Sequence, residues 1–212
     1  MTVGTLGLHT SSGSGTNIVY TAPAGKRAEI IISVFNKDLS PKTVTLFIAK
    51  ADTPLTSEVV QLENLTASYT GFERTGIVLV AGDRVTYTTS ASNTSIHVRG
   101  IESDVGTNVI STAPATISTN TTTTLYTAPS ACVVNFGMSL TTSTSTDTAN
   151  IEVYITTTNV AGGVLFHKDL LTSFTTGFER TAVSLNAGEK IIAVTTGISG
   201  NIASHLHGYT VV

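Results

Sequence analysis

The stretch AEIIISV, residues 28–34, places Ala28, Ile30, Ile32 and Val34 at every second position, with Glu29 and Ser33 among the residues between them. Successive side chains on an extended chain point to opposite faces, so this pattern is a strand with one core face and one face for solvent or a partner. The stretch VNFGMSL, residues 134–140, repeats it. Val134, Phe136, Met138 and Leu140 stand against the first apolar set, and Asn135 and Ser139 against Glu29 and Ser33. No window carries apolar residues at i, i+3, i+4 and i+7 for long enough to argue a helix, whereas alternation recurs throughout, so the chain is all-β.

Outward from this strand the chain repeats itself at a spacing of 106. GFERT stands at residues 71–75 and again at 177–181; Tyr20-Thr21-Ala22-Pro23 returns as Tyr126-Thr127-Ala128-Pro129; Ala81-Gly82-Asp83-Arg84 returns as Ala187-Gly188-Glu189-Lys190, each charge sign kept. Anchors at one constant spacing mean two copies of one module. Val44, Leu46 and Ile48 match Ile151, Val153 and Ile155 after a one-residue slip. Ile96-His97-Val98-Arg99-Gly100 faces Ser204-His205-Leu206-His207-Gly208, and Val3-Gly4-Thr5 is matched with Val105-Gly106-Thr107. The modules are expected over residues 1–102 and 105–212, joined by Glu102-Ser103-Asp104.

Each module holds about eight strand-like segments, at the spacing of sandwiches and barrels. In the first they fall near 5–9, 17–21, 27–36, 43–50, 57–63, 75–80, 84–90 and 95–101. Pro23 and Gly25, Pro41, Pro54 and Ala81-Gly82-Asp83 punctuate them as turns. Two tandem antiparallel β-sandwiches are expected, of jelly-roll or immunoglobulin-like type.

Charged residues make up 12% of the 212, against about a quarter in ordinary globular chains, so Thr, Ser and Asn must cover the surface. The net charge is −3 with scattered Lys and Arg, which leaves no electrostatic footprint for nucleic acid or an anionic membrane. The opening MTVGTLGLHT lacks the basic start and apolar core of a signal peptide, and no apolar run approaches the roughly 20 residues of a membrane helix. A single cysteine, Cys132, fits synthesis in a reducing cytoplasm.

Tyr20-Thr21-Ala22-Pro23-Ala24-Gly25-Lys26 leads into an alternating strand ending at Asn36. Ile77-Val78-Leu79-Val80 precedes the turn Ala81-Gly82-Asp83, and the module closes on Val98-Arg99-Gly100-Ile101-Glu102. This combination resembles small virion structural proteins of tailed bacteriophages, over nearly the whole chain. The second module departs from it with Ser130-Ala131-Cys132 in place of Ala24-Gly25-Lys26. The resemblance implies a non-enzymatic β-sandwich in a virion, a capsid decoration or tail- or fibre-associated component, with capsid or tail proteins as partners and itself a homo-oligomer.

The residues point away from catalysis. There is no nucleophile-elbow pattern, phosphate loop or Cys-x-x-Cys pair. Glu73 and Glu179 could pose as glycosidase carboxylates, but they hold equivalent places in separate modules, whereas that chemistry needs them about 5–10 Å apart. No enzyme activity and no cofactor are expected. His205 and His207, at i and i+2 on a strand, share a face and could chelate a divalent metal, although no third ligand accompanies them. In the first module His97 and Arg99 hold those places, so the alternative is simply the polar face of a last strand.

Two sets of residues are candidate contacts. Ile31, Phe35 and Phe47 lie on non-core strand faces, with Gly137, Thr141 and Tyr154 expected at the matching places, so the first module should be the stickier. In GFERT, Glu73 and Arg74, like Glu179 and Arg180, must face opposite ways on a strand and so seek separate partners. Either each charge serves its own module's corner, or the arginine forks bind carboxylates or carbonyls of a neighbouring subunit. The rival function is a carbohydrate-binding or receptor-binding adhesin, for which Tyr69, Tyr87, Phe47 and Tyr154 would stack on sugars in a chain without Trp.

Overall fold

A computed structural model describes residues 1–66, 70–106, 108–111, 114–118, 120–141, 148–172, 176–199 and 201–210. The first half carries β1 (Thr2–Thr10), β2 (Gly15–Thr21), β3 (Lys26–Asn36), β4 (Lys42–Ala49), β5 (Val59–Leu65), β6 (Gly71–Leu79), β7 (Arg84–Thr89) and β8 (Thr94–Asp104). The second carries β9 (Val109–Ser111), β10 (Ala115–Ile117), β11 (Thr122–Thr127), β12 (Cys132–Leu140), β13 (Thr148–Thr156), β14 (Val164–Leu171), β15 (Gly177–Leu185), β16 (Lys190–Ser199) and β17 (Ile202–Thr210). No helix among the described residues is long and apolar enough to cross a membrane.

Among the described residues, sheets do not mix strands from the two halves. The first half forms β1-β8-β3-β6 and β2-β7-β4-β5; the second forms β10-β17-β12-β15, with β9 also beside β17, and β11-β16-β13-β14. Two antiparallel four-stranded sheets in this order are a jelly roll, so the structure selects that type over the immunoglobulin-like one. β9 and β10 together stand where β1 stands. The core faces are those the alternation assigns: Ala28, Ile30, Ile32 and Val34, like Val134, Phe136, Met138 and Leu140, are 2% exposed or less, each set inside its own sandwich.

The ladders correct three details of the repeat. Ile30 lies opposite Ile77 and Gly100, and Val134 opposite Val183 and Gly208, so Ile30 corresponds to Val134 and Asn36 to Leu140. The chain between Tyr126 and β12 is thus two residues shorter than that between Tyr20 and β3. A slip of two preserves every face, which is why alternation does not reveal it. It makes Asn135, not Gly137, the counterpart of Ile31, and Ser139, not Thr141, that of Phe35. Gly4 lies opposite Gly100 and Ile110 opposite Gly208, so Val3-Gly4 corresponds to Val109-Ile110 and not to Val105-Gly106; Thr107 lies outside the described residues. Glu102, Ser103 and Asp104 continue β8, opposite Ala28, Arg27 and Lys26.

One local device shapes the site. Ile30 pairs with Ile77 but Ile32 with Arg74, so β6 bulges, with Gly76 in the left-handed region at φ 65°. The same bulge recurs between Val183 and Arg180, with Ala182 at φ 55°. An inserted residue reverses the alternation beyond it. Arg74 and Ile77, three apart, therefore face the same side, while Glu73 faces outward.

Candidate functional site

β5 and β6 end the two sheets of the first module, so the sandwich has an open mouth between them. Arg74 spans it, its Nη2 donating to the Gln61 side-chain oxygen on β5. The second module closes the mouth with the outer face of its β17-β12-β15 sheet. Arg74 Nη1 lies 3.5 Å from Glu179 Oε2, with both side chains about nine-tenths buried, and the Thr75 backbone N–H donates to the same carboxylate. Burial lowers the Arg74 pKa and raises that of Glu179, each effect opposed by the other's charge. The first Arg of GFERT thus pairs with the second Glu, across modules.

Backbone groups are satisfied across the same contact. Asn135 donates to the Gly76 carbonyl at 2.8 Å and accepts from the Ala182 N–H at 2.7 Å. Leu62 N–H donates to Ser139 Oγ at 3.1 Å, and the Thr176 hydroxyl donates to the Leu62 carbonyl. Phe47, 8% exposed, joins Ala49, Val59 and Ala203 in an apolar cluster of both modules. At the far end the Arg27 guanidinium lies 5.2 Å above the Tyr209 ring. Burial, with the Glu29 charge beside it, raises the Tyr209 pKa.

His205 and His207 share a face of β17, as their spacing requires, and that face is this interface. They are 4% and 3% exposed, their rings are 5.7 Å apart, and among the described residues neither ring nitrogen of either has a hydrogen-bond partner. Burial drives His205 well below the ordinary imidazole range, with His207 and Arg74 adding to it. Burial, then the Lys50 charge, pushes His207 down to about 4. Both rings are therefore neutral. Among the described residues no group of three or more His, Cys, Asp or Glu is placed to hold a metal. Gly137 makes room for His205, since a Cβ there would lie 2.4 Å from the ring.

The remaining candidates stay apart from this contact. Glu73 is exposed and accepts from Ser33 Oγ at 2.9 Å. Arg180 remains in its own module, donating to the Glu179 carbonyl at 2.8 Å and to His167 Nδ1 at 2.6 Å, 5.6 Å above the Phe178 ring. Ile31 and Phe35 are 37% and 50% exposed. Of the aromatics suited to sugars, Phe47 is covered, Tyr87 is buried and bonded to His9, and Tyr154 is bonded to Glu152; Tyr69 lies outside the described residues. The sequence does not single out Gln61, Asn135, Ser139 or Thr176, because uncharged polar residues abound on every strand of this chain. The available signal is Gly137, a glycine inside a long strand, which marks a close approach.

No family model matches the sequence, and no curated protein matches it. Similar solved structures include the major capsid protein P2 of bacteriophage PM2, at 8% identity over 99% of this chain and 97% of that one, TM-score 0.42. The N-terminal CBM22-1–CBM22-2 tandem domain of Paenibacillus barcinonensis Xyn10C aligns at 9% identity over 96% and 94%, TM-score 0.28. The PBSX exported protein XepA aligns at 8% over 97% and 85%, TM-score 0.33. None of these likenesses assigns a function to this chain.

Proposed function

We propose that this chain is a non-enzymatic structural protein of a phage virion, acting through protein contacts as a capsid decoration or tail-associated component. The observation that carries this reading is the use of the outer sheet face. In the second module that face is occupied in gripping another module through Glu179, Asn135 and Ser139. Three shallow surface hollows of about 270 to 310 Å³ are each lined by a single ionisable residue, Lys42, Glu29 or Glu63, so none pairs an acid with a base. The virion setting comes from the sequence resemblance alone.

The test is recovery of the chain in purified particles at fixed stoichiometry, by quantitative mass spectrometry, together with a glycan array on the isolated protein. Fixed stoichiometry without glycan binding is expected. Absence from particles overturns the reading, and selective glycan binding replaces it with the adhesin.

A further inference from the structure

The contact between modules joins two unlike surfaces: the mouth of one sandwich, at β5 and β6, and the outer face of the other's β17-β12-β15 sheet. Each module has both. The chain engages the first mouth and the second face, which leaves the mouth at β14 and β15 and the face of β8-β3-β6 over. The ladders make Leu165, Phe166 and His167 the counterparts of Val59, Val60 and Gln61. Leu165 and Phe166 are 48% and 41% exposed where Val59 and Val60 are 1% and 0%, and Val164 and Leu170 beside them are 73% and 49% exposed. On the free face Ile31, Phe35 and Ile101 are 37%, 50% and 41% exposed.

The polar groups of the two free surfaces match in the same way. Arg180 is held by His167 across its mouth as Arg74 is held by Gln61, and among the described residues no carboxylate forms an ion pair with it. Glu73, counterpart of Glu179, stands exposed on the free face. The surfaces also differ from the engaged pair in a correlated way. Within the chain Asn135 meets Gly76, and Tyr209 meets Glu29. The counterpart pairs are Ile31 with Ala182, and Ile101 with Val133. Both members of each pair are apolar, on surfaces that belong to different modules.

We propose that the free face of the first module receives the free mouth of the second module of another copy, so that chains join head to tail with Glu73 against Arg180 of that copy. This deepens the assembly reading above and rests on it. The contact is heterologous, so it closes into a ring or runs into a fibre according to the rotation per module.

Sedimentation velocity of the full chain over a range of concentrations tests it, with Glu73→Arg, Arg180→Glu and the double reversal. Concentration-dependent association is expected, weakened about tenfold or more by each single change and largely restored by the double reversal. Because Arg180 also packs on Phe178, Phe35→Asp on the exposed face serves as a control. It should weaken association to a similar degree at an unchanged melting temperature. Association indifferent to Glu73→Arg and Phe35→Asp overturns the proposal. A chain monomeric at every concentration yet recovered in particles overturns self-docking and leaves the structural reading standing. A chain that associates with these mutational effects but is absent from particles supports the docking and overturns the virion reading.

Discussion

His205 and His207 lie under the first module, while at the same two positions of the first module His97 bonds Thr5 at 2.9 Å near the surface and Arg99 is exposed. Glu179 is buried against Arg74, while Glu73, from the same motif, stands in solvent. Two ladders with the same strand order and the same bulge thus hold one motif in two electrostatic environments. The lesson is that the fold of a module positions these side chains, and the neighbour decides their energetics. An exposed ion pair contributes about 0–1 kcal/mol, whereas removing one member of a buried pair leaves the other desolvated and uncompensated.

The sharpest break of this comparison is Arg74→Ala set against Arg180→Ala. The first leaves Glu179 buried without its cation and should cost about 3–5 kcal/mol; the second removes a half-buried side chain and should cost about 1 kcal/mol. Urea denaturation of both variants measures the difference, and equal losses would show that the module contact does not set the energetics.

Acidification probes the histidines. An unfolded imidazole takes its proton near pH 6.5, whereas His207 resists until about 4. Between those values the unfolded chain holds the extra proton, so stability is complete above the window and falls as the pH drops through it. His207 accounts for roughly 3 kcal/mol of that loss. The raised carboxyl of Glu179 works the opposite way, so the informative quantity is the slope of stability against pH in wild type minus that in His207→Gln. No difference in slope would mean that the ring is solvated.

Smaller effects sharpen the same contrast. Gly137→Ser installs the residue that the first module carries as Ser33, but against the His205 ring. It should lower the melting temperature, at a cost of about 2 kcal/mol, while Ser33→Gly costs under about 1 kcal/mol. The smallest change expected is Leu165→Ser, within about 0.5 kcal/mol of wild type in monomer unfolding. The counterpart Val59→Ser should lose about 2 kcal/mol because Val59 is buried between modules.

Much of this architecture is legible before any coordinates. Alternation at Ala28, Ile30, Ile32 and Val34 assigns the core face, and the spacing of GFERT points to two β-sandwiches. The slip that makes Ser139 the counterpart of Phe35 is not legible, because a shift of two leaves the alternation intact. Nor is the bulge at Gly76 that turns Arg74 into the mouth, since Ala182 does the same work in the second module without a glycine to announce it.

For this protein the residue pattern by itself determined an all-β chain and the inward face of each long strand, because period-two burial is a local property of an extended backbone. Jelly-roll order, the partner of Arg74 and the burial of His205 and His207 were decided by tertiary structure alone. They depend on which distant strands pair and on how one sandwich is turned against the other. No stretch of sequence encodes that rotation; it emerges from side chains contributed by β5, β6, β12, β15 and β17 together.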